Sequence, residues 1–284
     1  MTDKHVPKRI FPPAAQDAAA ARATPSSPQT EDSAYRLAFQ DTDFLLREDL
    51  RPVRFQLELL KPELLLEEAG IASTLVFYGS ARIPSKEDVP AIRDAAHTPA
   101  QKKIAERLAA KACYYDEAHK LARHASRVAM AANPHHFVVC SGGGPSIMEA
   151  ANRGAMDEGA PAIGLNIVLP HEQLPNAYVT PSLSFRFHYF ALRKMHFLLR
   201  ARAVAVFPGG FGTFDELFEL LTLIQTGKIP PMPVILFGKS FWNRVVDFDA
   251  LVEEGVISPN DLNIFRFVET ADEAWAIVRQ HYEI

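Results

Sequence analysis

The sequence predicts an α/β protein: a doubly wound parallel sheet preceded by a helical extension. Three observations carry this. Short apolar runs rich in β-branched residues recur at 73–78, 136–140, 160–168, 203–207, 233–237 and 264–268, with a shorter candidate at 184–188. Amphipathic stretches of helical spacing separate them, and strands alternating with helices make a parallel sheet covered on both faces. Glycine turns follow three of the runs, at Gly79-Ser80, Gly142-Gly143-Gly144 and Gly209-Gly210-Phe211-Gly212. In a doubly wound sheet such loops gather along the carboxyl edge, where ligands bind.

Taken in order, residues 1–35 are rich in Ala, Pro, Ser and Gln without apolar periodicity and read as a disordered tail. Residues 36–71 read as a helical extension, two helices broken near Pro52 and stopped by Gly70. The α/β domain then occupies 72–284. Thr98-Pro99 opens a long helix with a good cap and a proline in its first turn, ended by Asn133-Pro134. Further helices are expected from Pro145 to about 159, around Arg193 and Lys194, from the Gly212 turn to 227, at 241–254 and at 271–281.

Composition bounds the function. Apolar residues make up 48% of the 284, ample for a core, and the net charge of -4 argues against general nucleic-acid binding. Cys113 and Cys140 are the only cysteines, so neither a disulfide framework nor a cysteine zinc site is implied. No apolar run is long enough to span a bilayer, and no apolar signal-peptide core opens the chain. The expectation is a soluble cytoplasmic protein without a membrane partner. Ten histidines include no H-x-x-x-H or H-E-x-x-H spacing, so no metal is expected.

The segment 203–227 concentrates the chemistry. A strand meets Pro208 and a glycine turn, and a helix starts at once, so several backbone N–H groups and the positive end of a helix dipole converge. Such a turn suits an anion, most often phosphate. Neither this loop nor Gly142-x-Gly144 fits G-x-G-x-x-G, and Gly238-Lys239-Ser240 lacks the upstream glycine of a P-loop and reads as an ordinary strand-to-helix turn. Asp215, Glu216 and Glu219 crowd the start of the helix. Thr213-x-x-Glu216 has capping-box spacing, which would explain the acid without a ligand. Equally, a ligand with a hydroxyl-rich part beside its phosphate, such as a ribose 5′-monophosphate, would accommodate carboxylates there. Spacing leaves the two even. Glu149 is less well explained by capping, because Pro145 should take the first helical position and Gly144 the cap. Arg193 and Lys194 interrupt an apolar helix, either as solvated side chains or as phosphate or substrate contacts.

The run Ser141-Gly-Gly-Gly-Pro-Ser-Ile-Met-Glu-Ala-Ala-Asn-Arg-Gly-Ala155, then Arg193-Lys194, then Pro208-Gly-Gly-Phe-Gly-Thr-Phe-Asp-Glu216 about 15 residues later, resembles the LOG (Lonely Guy) family. These are cytokinin riboside 5′-monophosphate phosphoribohydrolases, often mislabelled lysine decarboxylases. The resemblance runs from about Thr74 to the C-terminus and looks like the longer bacterial-type subgroup. It implies a Rossmann-like fold and hydrolysis of the N-glycosidic bond of a cytokinin or purine nucleoside 5′-monophosphate to free base and ribose 5-phosphate. Arg193 and Glu216 would be the catalytic pair. Gly209, Gly210, Phe211, Gly212 and Thr213, with Ser80, Gly143, Gly144 and Lys194, would hold the nucleotide and its phosphate. Met148, Glu149, Glu172 and Asp215 would contact base or ribose. No cofactor is implied, and family members are homodimers or larger homo-oligomers. Ser146 stands where the family commonly has glycine, and Phe214 where leucine is common. The alternative is a non-catalytic carrier of nucleotide or molybdenum cofactor on the same fold. A pyridoxal-phosphate decarboxylase would need a Schiff-base lysine, for which Lys194 is the only tempting candidate.

Overall fold

The computed structural model describes residues 11–170 and 174–284, and the chain divides into two compact units, Met1–Leu57 and Glu58–Ile284. In the first unit, α1 (Ala14–Arg22), α2 (Pro28–Glu31) and α3 (Thr42–Leu45) bury none of their residues. Part of the segment read as a disordered tail is therefore helical. Four successive alanines, Ala18–Ala21, supply the first helix through propensity alone, and a reciprocal Ser27–Thr30 capping box starts the second.

Helix α4 (Arg51–Glu68) starts just before Pro52, whose missing N–H is harmless in a first turn. It stops at Gly70, at φ +71°, where the Gly70 and Ile71 amides return to the Glu67 and Leu66 carbonyls at 2.9 Å each. Its second half lies in Glu58–Ile284, the unit that holds the sheet.

From there the order is β1 (Thr74–Tyr78), α5 (Val89–Asp94), α6 (Pro99–Ala109), α7 (Cys113–Ala132), β2 (Val138–Ser141), α8 (Ile147–Asp157), β3 (Ala162–Ile167) and β4 (Ser184–Phe187). Next come α9 (Phe190–Leu199), β5 (Ala201–Val206), α10 (Phe211–Gln225), β6 (Val234–Phe237), α11 (Lys239–Val245), α12 (Phe248–Glu253), β7 (Phe265–Val268) and α13 (Ala271–Tyr282). The seven strands form one parallel sheet in the order β4-β3-β2-β1-β5-β6-β7. The chain winds outward from β1 to β4, crosses back to β5 beside β1, and winds outward again. The topological switch point lies between β1 and β5, the place where a doubly wound sheet opens a crevice at its carboxyl edge. The fold is the expected α/β class.

One face of the sheet packs Leu75, Phe77, Val139, Phe207, Ile235 and Phe237 against α7, α8 and α13, whose Leu121, Ile147 and Trp275 belong to the same buried cluster. Ala203 and Ala205 are small enough to leave room for aromatics between strands, and the Phe207 ring stacks on Phe237 at 4.1 Å and lies parallel to Phe77 at 6.2 Å. Tyr78 points to the opposite face, as strand alternation requires, and meets Phe197 of α9 edge-on at 5.1 Å.

Two expected helices are each broken. The segment 98–132 is α6 and α7, separated by a tight turn with Ala112 N donating to Ala109 O at 3.0 Å and Tyr115 N to Ala112 O at 3.1 Å. Neither Gly nor Pro marks it, so apolar spacing runs through the break. The segment 241–254 is α11 and α12, split where Asp247 accepts the Ala250 amide at 3.0 Å as a new N-cap. Thr98, by contrast, caps α6 as expected, in a reciprocal box with Gln101.

Candidate active site at the switch point

The turns after β1 and β5 meet directly. Phe207 N donates to Tyr78 O at 2.8 Å, and Ser80 N to Pro208 O at 3.1 Å. Ser80 thus ties one glycine turn to the other through its backbone, while its Oγ accepts from Arg82 N at 3.0 Å. Beyond Pro208 the chain enters α10 with Gly210 as N-cap and no side-chain cap. The first-turn N–H groups of such a helix point outward with the positive end of its dipole. Thr213 lies inside this first turn and is buried, folded over Gly209. A Cβ at residue 209 would fall 2.1 Å from Thr213 Oγ1, so only glycine permits this packing. The capping-box reading of Thr213 and Glu216 is therefore wrong: the helix starts before Thr213, and Glu216 turns elsewhere.

Glu216 turns to Arg193. Arg193 Nη1 donates to Glu216 Oε1 at 3.0 Å, and both side chains are only about one-tenth exposed, at 11% and 12%. Arg193 Nε donates to Leu165 O at 2.6 Å, and the guanidinium stacks 4.9 Å from the Phe197 ring centroid one turn along α9. The solvated reading of Arg193 fails. Burial pushes the Glu216 carboxyl up to about 7, and the Arg193 charge and hydrogen bond oppose that rise. Burial and then the Glu216 charge push the Tyr78 hydroxyl well above its usual range.

The second glycine turn closes on the same pair. A Cβ on Gly142 would lie 2.6 Å from Arg193 Nη2 and 2.8 Å from Met148 Sδ. Arg193, Glu216, Gly142 and Met148 therefore converge. The Gly143 and Gly144 backbone is pinned from outside by residues that sequence reading missed. Asn176 N donates to Gly143 O at 2.8 Å and its Nδ2 to Gly144 O at 2.9 Å; the same Nδ2 reaches Asn152 Oδ1 at 3.0 Å, which also accepts from Ser141 Oγ at 2.7 Å. Asn152 is fully buried. A polar residue one turn before Ala155, among the small apolar residues of α8, was the available signal.

The remaining candidates are placed differently. Lys194 Nζ bonds Asp215 Oδ1 at 3.0 Å and Glu219 Oε2 at 3.1 Å. Burial works against its charge, but these bonds hold the ammonium above its usual range. Glu149 accepts from Tyr115 Oη at 3.0 Å and so is held toward α7. Phe211 projects almost wholly into solvent. Helix α8 starts at Ile147, two residues later than expected, with Ser146 at the N-cap in a φ +66°, ψ -124° conformation and its Oγ bonded to Ile83 O. That backbone is one L-residues rarely adopt, which accounts for glycine being common there. Glu172 lies outside the described residues. Among the described residues, no group of three or more His, Cys, Asp or Glu could hold a metal ion, and no helix is long and apolar enough to cross a membrane.

Residues 148–278, which carry Met148, Arg193 and Glu216, match the family model described as possible lysine decarboxylase. Cytokinin riboside 5′-monophosphate phosphoribohydrolase LOG3 of Arabidopsis thaliana is 31% identical over 140 residues. That stretch is similar to the LOG phosphoribohydrolases. The alignment with LOG3 covers 48% of this chain and 63% of LOG3. Probable cytokinin riboside 5′-monophosphate phosphoribohydrolase LOGL3 of Oryza sativa subsp. japonica is 39% identical over 83 residues, 28% of this chain and 39% of that protein. This chain thus spans less than two-thirds of the length of each curated LOG relative named here. Among solved structures, the X-ray structure of TM1055 aligns with TM-score 0.46 at 20% identity, over 73% of this chain and 99% of that one. The Moco carrier protein from Chlamydomonas reinhardtii aligns with TM-score 0.42 at 18% identity, over 74% and 98%.

Proposed function

We propose that the protein hydrolyses the N-glycosidic bond of a nucleoside 5′-monophosphate, of the cytokinin or purine class, to free base and ribose 5-phosphate. The observation that carries this is the enclosed Arg193–Glu216 pair, 3.0 Å apart beside the uncapped N-terminus of α10. A phosphate on the Gly209–Thr213 turn would bring the ribose toward Glu216, one turn further along the helix. The C1′–N bond breaks through an oxocarbenium-like state, water adds its oxygen to C1′, and a proton goes to the departing base. Ionised Glu216 stabilises the cationic sugar or orients the water. Arg193 holds Glu216 in place and contacts the phosphate or the leaving base. A homodimer or larger assembly is part of this reading, checked by the mass of the protein in solution.

A carrier has no use for a buried acid facing the ligand's sugar, and Lys194, held protonated between two carboxylates, is not the free amine a Schiff base needs. The decisive experiment incubates the full chain with AMP and with isopentenyladenosine 5′-monophosphate and assays free base. Release of base from either is expected. Tight binding of both without release would replace this reading with the carrier one.

A further inference from the structure

The helix that presents Arg193 is held from outside at both ends. Its N-cap, Tyr189, makes no side-chain cap bond. The cap comes from α4: Glu58 Oε1 accepts the His188 amide at 2.6 Å and Glu58 Oε2 accepts the Tyr189 amide at 3.1 Å. A single carboxylate thus closes two N–H groups and places negative charge at the positive end of α9. At the far end, Arg200 is the C-cap of α9. Its Nη1 donates to Glu63 Oε2 at 2.5 Å and its Nε to Ile71 O at 3.1 Å. Between the two lies His196, buried, with its ring 5.3 Å from that of Phe187.

The link to the site is short. Glu58 holds the Tyr189 backbone, and Arg193 N donates to Tyr189 O at 3.1 Å, the bond that opens α9. Where Tyr189 sits therefore fixes where Arg193 starts, and Arg193 must span from Leu165 O to Glu216 with little slack. We propose that Glu58 is a positioning residue for Arg193: through the His188–Tyr189 backbone it sets the start of α9 and thereby the contact between Arg193 and Glu216. The inference rests on the catalytic reading of that pair.

The alternative is that Glu58 only stabilises a helix end. The two differ in the pH profile. Glu216 is faced by Arg193 and Lys194 from α9, by Asp215 on its own helix, and by Tyr78 and Cys140 from β1 and β2. Only the α9 groups move when α9 shifts. Arg193 favours ionised Glu216, so its displacement moves the acidic limb of the rate profile to higher pH.

The test uses the full chain with AMP or isopentenyladenosine 5′-monophosphate. Glu58→Ala, Glu58→Asp and Glu58→Gln are compared for kcat and KM across pH, for melting temperature, and for amide exchange at residues 188–193. Glu58→Ala is expected to lower kcat by about 10- to 100-fold, with KM changed less than about 3-fold. It should also raise the acidic limb and speed exchange at 188–193. Glu58→Gln, of equal length and still carrying an acceptor oxygen, should recover most of the rate. Glu58→Asp, one methylene short, should behave as alanine does and replaces it if the alanine variant does not fold. A lower melting temperature with kcat and the acidic limb unchanged overturns the proposal, as does unchanged exchange at 188–193. If the wild type releases no base from either nucleotide, the catalytic reading fails, and a rise in the Glu216 titration midpoint in Glu58→Ala, followed by NMR, still supports Glu58 as the group that places Arg193, while an unchanged midpoint overturns it.

Discussion

At the scale of single residues, a carboxylate one turn into a helix proposed to bind an anion ought to weaken the site it adjoins. Glu216 avoids this because Arg193 lies 3.0 Å away and because burial raises its pKa to about 7. On the proposed mechanism the ionised form is active, so kcat/KM should climb with pH and level off above about 7. Glu216→Gln should lose 10²- to 10⁴-fold in base release in a folded protein, the usual loss for a positioned group in proton transfer or charge stabilisation. A near wild-type rate would remove Glu216 from the mechanism. Stability carries the same signature with a definite sign. The folded-state pKa lies above the unfolded value of 4.5, so this contribution is complete below pH 4.5 and is lost as pH rises through 7. The fall in melting temperature from pH 5 to pH 8 should therefore be smaller in Glu216→Gln than in the wild type. Gly142→Ala tests the geometry from the opposite turn. The new methyl meets only the ends of two long side chains, so the fold should tolerate it, yet Arg193 must move. Melting should change little while base release falls by about 10²-fold, the scale of a 1 Å misplacement. Arg193 and Glu216 were legible through the family motif, not through spacing. The Thr213–Glu216 interval fitted a cap equally well, and the helix start at Gly210 together with a contact between residues 23 apart in sequence decides against it.

At the scale of elements, helix starts carry most of the candidate site, and their local signals differ in clarity. The α6 cap was plain because Thr98, Pro99 and Gln101 are all local signals. The entry to α8 was not, because Ser146 adopts a conformation that serine does not advertise. Two variants isolate that strain. Ser146→Ala and Ser146→Gly both lose the bond to Ile83 O, but only glycine relieves the backbone, so Ser146→Gly should unfold with about 1–3 kcal/mol more stability than Ser146→Ala in denaturant titration. Equal stabilities would show that the turn is unstrained. The α6–α7 break escaped sequence reading for the opposite reason: nothing in Ala109 to Cys113 interrupts helical propensity, and the turn is imposed by packing.

At the scale of the whole sheet-bearing unit, strand existence was legible and strand order was not. Alternating apolar runs say that β1 to β7 share a parallel sheet, but no local signal says that the chain returns to the side of β1 after β4. That return makes the crevice, since it sets the Ser80 and Pro208 turns against each other. Asn176 was equally invisible, a loop residue whose role exists only once β3 has brought it beside Gly143 and Gly144.

The same return governs when the site can come into being. Pairing of β1 with β5 aligns Thr74 with Ala201 and Tyr78 with Val206, joining segments on either side of the whole first winding. Contacts across so long a loop pay their closure entropy before any gain and form slowly. A nascent chain can complete β1 to β4 and still lack the proposed anion turn, because Gly209 and Glu216 emerge only after β5. On the proposed function, nucleotide capture would thereby wait until β5 has paired with β1.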